Sequence, residues 1–152
     1  MAKKKSKGRN KVLYFDNELF IPCTLVKNLE LFGWNVTLVS ESDELFEQLR
    51  NHLFDILILD IMAPIPELKN EYVIFSKSDL EEMDGGIHTG IVLAKKIWEM
   101  DSYKNIPILF FSSMHFPDSI HQFMNKGKKC DFLCKPELSR KINERLDLLL
   151  NS

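Results

Sequence analysis

Four apolar runs in this chain each stop at a side chain able to do phosphate or metal chemistry. Val12-Leu13-Tyr14-Phe15 ends at Asp16, Ile56 to Leu59 at Asp60, Ile106 to Phe111 at Ser112, and Cys130 to Cys134 at Lys135. A lone acid at such an end more often caps a turn. Four reactive ends in one chain favour a shared site. Two carboxylates about 4 Å apart repel by roughly 4 kcal/mol at an effective dielectric near 20, so Asp16 and Asp60 brought together call for a cation. Hard oxygen donors from Asp16, Asp60, the Asn17 amide and the backbone carbonyl at Met62, completed by water, suit Mg²⁺. An ionised Asp60 beside that metal can attack phosphorus and form an aspartyl phosphate. The Lys135 ammonium and the Ser112 hydroxyl would share with Mg²⁺ the neutralisation of the phosphoryl oxygens.

These groups need a scaffold that delivers strand ends to one rim. Near-continuous apolar strands suit a parallel sheet covered on both faces, and in open α/β sheets the ligand crevice lies beyond the carboxyl ends of the strands. Helical patterns fill the intervals. The first starts near Pro22, carries Leu25, Val26, Leu29 and Phe32 on one face and is stopped by Gly33. Trp34 to Val39 alternates as a second strand, after which Ser42 caps a helix with Leu45, Phe46, Leu49 and Leu53 at helical spacing. Asp55 to Asp60 is the central strand. Thr89-Gly90 precedes a helix with Ile91, Val92, Lys95 and Trp98 near one side, and Pro117 starts another that bears Ile120, Phe123 and Met124 and ends at Gly127. Glu137 to Leu150 is the last, with Leu138, Ile142, Leu146 and Leu149 on its buried face. Five strands alternating with five helices predict an α/β domain with a parallel sheet and right-handed crossovers.

Ile65 to Glu82 breaks this rhythm with turn chemistry at its start, a short β-prone core at Tyr72 to Phe75 and a charged end. It reads as an insertion beside Asp60, and loops of this length in compact domains are often lids or binding loops. The length of 152 residues fits one domain. A hydrophobic content of 45% excludes wholesale disorder, and a net charge of -2 gives no general attraction to polyanions. Direct nucleic-acid binding is therefore not expected. Lys3, Lys4, Lys5, Lys7, Arg9 and Lys11 crowd the N-terminus, and about residues 1–10 read as a solvated, disordered tail, with the folded body at 11–152. Cys23, Cys130 and Cys134 lack a metal-type CxxC pairing, and no signal peptide or membrane span is evident, which places a soluble protein in the reducing cytoplasm. Cys130 and Cys134 share a strand face and read as small buried residues rather than a redox pair. His52, His88, His115 and His121 show no metal-ligand spacing and read as surface residues.

In order, the segments VLYFDNE, LDIMAP, MDGG, PILFFSS and DFLCKP resemble the motifs of receiver domains of two-component response regulators, from Val12 to about Asn151. The resemblance implies a flavodoxin-like, doubly wound (βα)5 fold with strand order 2-1-3-4-5. It implies that Asp60 accepts a phosphoryl group, with Mg²⁺, from a histidine kinase, a phosphotransfer protein or a small phosphodonor. By the same resemblance Ser112 turns inward to bind the phosphoryl group, Phe132 is an aromatic reporter on strand five, and the Lys135-Pro136 peptide is cis. Such a chain catalyses only its own phosphotransfer and dephosphorylation and is otherwise no enzyme. Charge added at Asp60 would shift a population and move a surface containing Phe116, Ile120, Phe123 and Phe132, to be read by a downstream protein or a second copy of the chain. The chain stops one helix after Lys135 with no DNA-binding or enzymatic output domain in it, as expected either of a single-domain regulator acting through proteins or of a fragment of something longer. Two departures stand out. Asn17 replaces a second metal-ligating acid and predicts weaker Mg²⁺ binding, with Glu18 nearby; and the insertion separates MDGG from the proline that it ordinarily follows. Both motivate a rival reading, a degenerate receiver acting as a phosphorylation-independent interaction scaffold. Retention of Asp60, Ser112 and Lys135 opposes it. A nucleotide or flavin binder of the same topology would want a glycine-rich phosphate loop where Asp16-Asn17-Glu18 stands, and an aspartyl-nucleophile phosphatase a second acid at Met62.

Overall fold

The apolar runs form strands β1 (Lys11–Phe15), β2 (Asn35–Val39), β3 (Ile56–Leu59), β4 (Ile108–Ser112) and β5 (Cys130–Cys134). They pair in parallel in the order β2-β1-β3-β4-β5. The computed structural model describes residues 10–18, 20–66 and 73–152; Lys3, Lys4, Lys5, Lys7, Arg9 and Tyr72 lie outside the described residues. Every residue of β3 is buried, as a central strand covered on both faces requires. Strand alternation then divides the core in two. Leu13, Phe15, Leu57, Leu59 and Phe110 pack with Leu45 and Phe46 of α2 (Ser42–Asn51), Ile91 and Ile97 of α4 (Thr89–Glu99) and Phe123 of α5 (Asp118–Asn125). On the opposite face Val12, Tyr14, Ile58 and Phe111 pack with Leu25 and Leu29 of α1 (Phe20–Leu31) and Ile142 and Leu146 of α6 (Ser139–Leu150). Among the described residues no helix is long and apolar enough to cross a membrane.

Element ends differ from their sequence-based positions for local reasons. Helix α1 begins two residues before Pro22, because the missing proline N–H is still one of the first-turn donors that find no intrahelical partner. Phe32 falls after that helix and is half-exposed, beside Gly33 at φ +104°. Glu41, not Ser42, caps α2, and the Glu44 carboxylate accepts the N–H groups of Ser40 and Glu41 at 3.1 and 3.3 Å. Leu53 and Leu138 keep helical spacing but lie just outside α2 and α6, where they are 71% and 65% exposed. Thr89 and Gly90 open α4 rather than precede it. Cys130 is buried and its thiol is pushed up to about 11, chiefly by burial and then by Asp131, whereas Cys134 is exposed; both are free thiols.

Val73 to Phe75 form no strand. The insertion instead contains a sixth helix, α3 (Lys77–Glu82), opened by a reciprocal cap in which Asp79 N–H donates to Ser76 Oγ at 3.0 Å and Ser76 N–H to Asp79 Oδ2 at 2.8 Å. Val73 and Phe75 lean half-buried on the core. Lys96 reaches Asp79 at 2.9 Å, and Lys95 pairs with Glu82, so α3 is tied to α4. The excursion is closed at its neck: Ala63 N–H donates to Gly86 O at 3.0 Å, and Thr89 Oγ1 to Ala63 O at 2.7 Å.

Candidate functional site

Strands β1 and β3 end level. Phe15 pairs with Leu59, and Asp60 N–H donates to Phe15 O at 3.0 Å, so the next residue of each strand is an aspartate. Ser112 closes β4, and Lys135 N–H donates to Ser112 O at 3.0 Å. Parallel pairing therefore delivers Asp16, Asp60, Ser112 and Lys135 to one rim. Their side chains meet. Lys135 Nζ lies 2.6 Å from Asp16 Oδ2 and 3.3 Å from Asp60 Oδ2. Ser112 Oγ donates to Asp60 Oδ1 at 2.6 Å, and Met62 N–H points at the same oxygen from 3.2 Å. Asp16 Oδ1 accepts from Glu18 N–H at 2.9 Å, and the Tyr14 hydroxyl donates to Asp16 Oδ2 at 3.2 Å. Asp16 and Ser112 are wholly buried and Asp60 is 5% exposed, which leaves Asp60 the edge of the pair that opens to solvent. The Lys135 ammonium also sits 5.6 Å from the Phe111 ring centre, within reach of a cation–π attraction.

The charges are unbalanced. Burial raises the Asp60 carboxyl above the usual carboxylate range and Asp16 adds to the rise, while the Ser112 hydrogen bond and Lys135 oppose it without cancelling it. For Lys135, burial acts to lower the ammonium, but the hydrogen bond to Asp16 and the charges of both carboxylates outweigh it and hold Lys135 above its ordinary value. One ammonium thus serves two carboxylates. The remaining negative charge lies on hard oxygens, and this donor set fits a small divalent cation. Among the described residues no group of three or more acid, histidine or cysteine side chains could hold a metal, so the fit depends on neutral oxygens such as the Asn17 amide and the Met62 carbonyl beside two acids. Asn17 and Glu18 are exposed at the rim.

No family model and no curated protein matches this chain. Solved structures do. It is similar to the chemotaxis response regulator CheY4 of Vibrio cholerae, at 19% identity over 93% of this chain and 99% of that one, with a TM-score of 0.70. A CheY-like response regulator receiver domain protein from Methanospirillum hungatei matches at 17% identity over 95% of each chain, TM-score 0.70. A two-component response regulator from Clostridium difficile matches at 22% identity over 94% of this chain and 97% of that one, TM-score 0.67. The chain has the receiver-domain fold.

On that receiver scaffold the Lys135-Pro136 peptide is cis. The surface expected between β4 and β5 needs correction. Ile120, Phe123 and Phe132 are buried, because α5 packs Phe123 edge-on against Trp98 at 5.0 Å and in a stack with Phe110 at 6.1 Å. Only Phe116 of the four is open, at 40% exposure, lying parallel to the His121 ring at 4.2 Å and 5.3 Å from Phe132. Sequence reasoning also missed two supports of this rim site. Gly90 packs the first turn of α4 against the Asp60 backbone so closely that a Cβ would stand 2.2 Å from Asp60 O and 2.6 Å from Ile61 Cα. Tyr14 lies beneath Asp16. Its place two residues earlier on the same strand was the available signal, since i and i+2 share a face.

Proposed function

We propose that this chain is a phosphoacceptor receiver in two-component phosphorelay signalling, taking a phosphoryl group on Asp60 from a histidine kinase, a phosphotransfer protein or a small phosphodonor. The observation that carries the reading is the convergence of Ser112 Oγ and Lys135 Nζ on different oxygens of the Asp60 carboxylate. In the transfer an Asp60 oxygen forms the bond to phosphorus, the donor's P–N or P–O bond breaks, and the leaving imidazole or carboxylate keeps the electron pair. Asp16, Asp60, the Asn17 amide and the Met62 carbonyl would hold Mg²⁺, which supplies positive charge to the phosphoryl oxygens when bound. Lys135 neutralises a phosphoryl oxygen from the other side, and Ser112 exchanges its bond to the carboxylate for one to the phosphoryl group. The chain acts on no other substrate. It works in the cytoplasm, passes its state to a downstream protein or a second copy of itself, and binds no nucleic acid directly.

A second reading has one observation in its favour. Asn17 brings a neutral amide to the rim beside Asp16 and Asp60, a weaker cation ligand than a further acid, as suits a scaffold whose binding surface does not wait for Mg²⁺-assisted phosphorylation. Incubation with Mg²⁺ and acetyl phosphate followed by intact mass measurement separates the two. Gain of one phosphoryl group by the wild type and none by Asp60→Asn is the expected result. No Asp60-dependent gain, together with no binding of the phosphoryl mimic beryllofluoride, would leave the scaffold reading in possession.

A further inference from the structure

All five strands point their carboxyl ends at the Asp16 and Asp60 rim, so their amino ends and the helix ends that feed them make the opposite pole of the domain. Large apolar side chains open there. Leu31 ends α1 and is 86% exposed, Phe32 follows it half-exposed, Leu53 lies just past α2 at 71%, and Leu148 sits in the last turn of α6 at 65%. Strand β1 enters at the same pole, where Asn35 N–H donates to Asn10 O at 2.9 Å, so residues 1–9 are joined to the domain here. Those residues are strongly basic. Lys3, Lys4, Lys5, Lys7 and Arg9 are five cations with no acid among them, so with a chain total of -2 the remainder carries -7. Around the exposed leucines Lys11, Arg50, Lys104, Lys126, Lys128 and Lys129 are almost matched by Glu30, Asp55, Glu99, Asp101 and Asp147. The positive surplus of the molecule therefore gathers at the pole that exposes leucines, and the negative surplus lies away from it.

We propose that this pole is a docking face for an anionic lipid bilayer: the basic residues 3–9 engage the headgroups, while Leu31, Phe32, Leu53 and Leu148 enter the interface. The inference is independent of the phosphoacceptor reading. A bilayer is the occupant that uses both features. Anionic headgroups attract basic segments within a Debye length, and binding to the interface also grows with the apolar area buried in it. A nucleic acid would take the charge and leave the leucines in water, because its bases are held by aromatic stacking and by hydrogen bonds to their edges. Docking by this pole also turns the acidic remainder of the chain away from a surface of like charge. The rim that carries Asp60 then faces outward, open to a soluble donor or partner.

The test is co-sedimentation of the full chain with phosphatidylcholine vesicles, with and without phosphatidylserine, at low and high salt. Two variants are compared with wild type: one combines Lys3→Gln, Lys4→Gln, Lys5→Gln, Lys7→Gln and Arg9→Gln, the other Leu31→Ser and Leu148→Ser. Wild type is expected to bind only the vesicles that contain phosphatidylserine and to be released by salt. A cation near such a surface is worth about a fivefold change in binding, so the glutamine variant should bind at least about a hundredfold more weakly. The serine variant should bind about tenfold more weakly while melting like wild type, since the side chains it replaces are exposed. No binding by wild type, or equal binding to both kinds of vesicle, overturns the inference. So does a serine variant that binds like wild type, because the basic segment would then act without the face. Retention of wild type by single-stranded RNA but not by vesicles would assign the segment to nucleic acid and overturn it as well.

Discussion

Two carboxylates that share one ammonium in a buried pocket leave Asp60 harder to ionise than an ordinary carboxyl, and this has a consequence for stability. Because burial, reinforced by Asp16, raises the folded-state Asp60 above its unfolded value, the folded protein binds more protons than the unfolded chain between those two values. The stability tied to Asp60 is therefore fully present below the ordinary carboxylate range and is lost as pH rises through the folded value. Asp60→Asn removes the surplus charge and leaves Lys135 in a one-to-one pair with Asp16. In a chelating buffer near pH 7 the variant should melt a few degrees above wild type, and the gap should close below about pH 4. A gap that is constant across that range, or reversed, would refute this account of the pocket. At this scale Asp16, Asp60, Ser112 and Lys135 were readable because four apolar runs each end at a side chain suited to phosphate or metal chemistry, a coincidence that turn capping alone does not explain. Tyr14 was hidden by the same logic, since a tyrosine within an apolar strand looks like core. Phe132, Ile120 and Phe123 were assigned to a surface because the phosphorylation reading calls for a moving face beside strands four and five, and burial was what spacing on two different elements could not reveal.

Elements place these residues through their ends, and ends are where sequence periodicity stops informing. The spacing that found α2 and α6 also captured Leu53 and Leu138, although neither has a helical turn beneath it. Helix α3 escaped because six residues cannot display an apolar period, and only the Ser76 and Asp79 cap marks it. The strand order needed the family resemblance, because alternation alone does not say which strands are neighbours. The tightest junction is between the end of β3 and the start of α4. Alanine is favoured over glycine in a helix by about 1 kcal/mol, so a propensity argument makes Gly90→Ala stabilising. Packing argues the reverse, because the new methyl would stand 2.2 Å from Asp60 O and 2.6 Å from Ile61 Cα, both backbone atoms. Overlap of that depth must move β3 or α4, at a cost of about 2 kcal/mol or more. Urea denaturation of Gly90→Ala should show that loss, and acetyl phosphate labelling should slow with it, since the displaced backbone carries Asp60, the proposed phosphoacceptor. A variant as stable as wild type would mean that the junction is looser than it stands.

For the molecule as a whole the question is what the excursion after β3 contributes. The sequence announced it by breaking the strand and helix rhythm, but its interior carried too little pattern to read. Its neck is built independently of its interior: the Ala63 to Gly86 hydrogen bond, the Thr89 hydroxyl on Ala63 O and the wholly buried Met83 all belong to the body of the domain. What the arm adds to folding is modest. Val73 and Phe75 are only half-buried, and the ion pair of Lys95 with Glu82 is an exposed one of the kind worth about 0–1 kcal/mol. Joining Pro64 to Met83 also shortens a loop, which favours closure slightly. Deleting residues 65–82 should therefore give a folded protein melting within several degrees of wild type. The neck nonetheless begins at Asp60, the proposed phosphoacceptor, through Ile61 and Met62, and Met62 N–H points at Asp60 Oδ1. An arm held to α4 by Lys96 and Asp79 restrains that segment, so its removal should loosen the wall beside an aspartyl phosphate and admit water. The expected outcome is a phosphorylated lifetime shortened by a few-fold, measured as loss of labelled phosphate after the donor is removed. Equal lifetimes in a folded deletion variant would make the arm a neutral surface insertion.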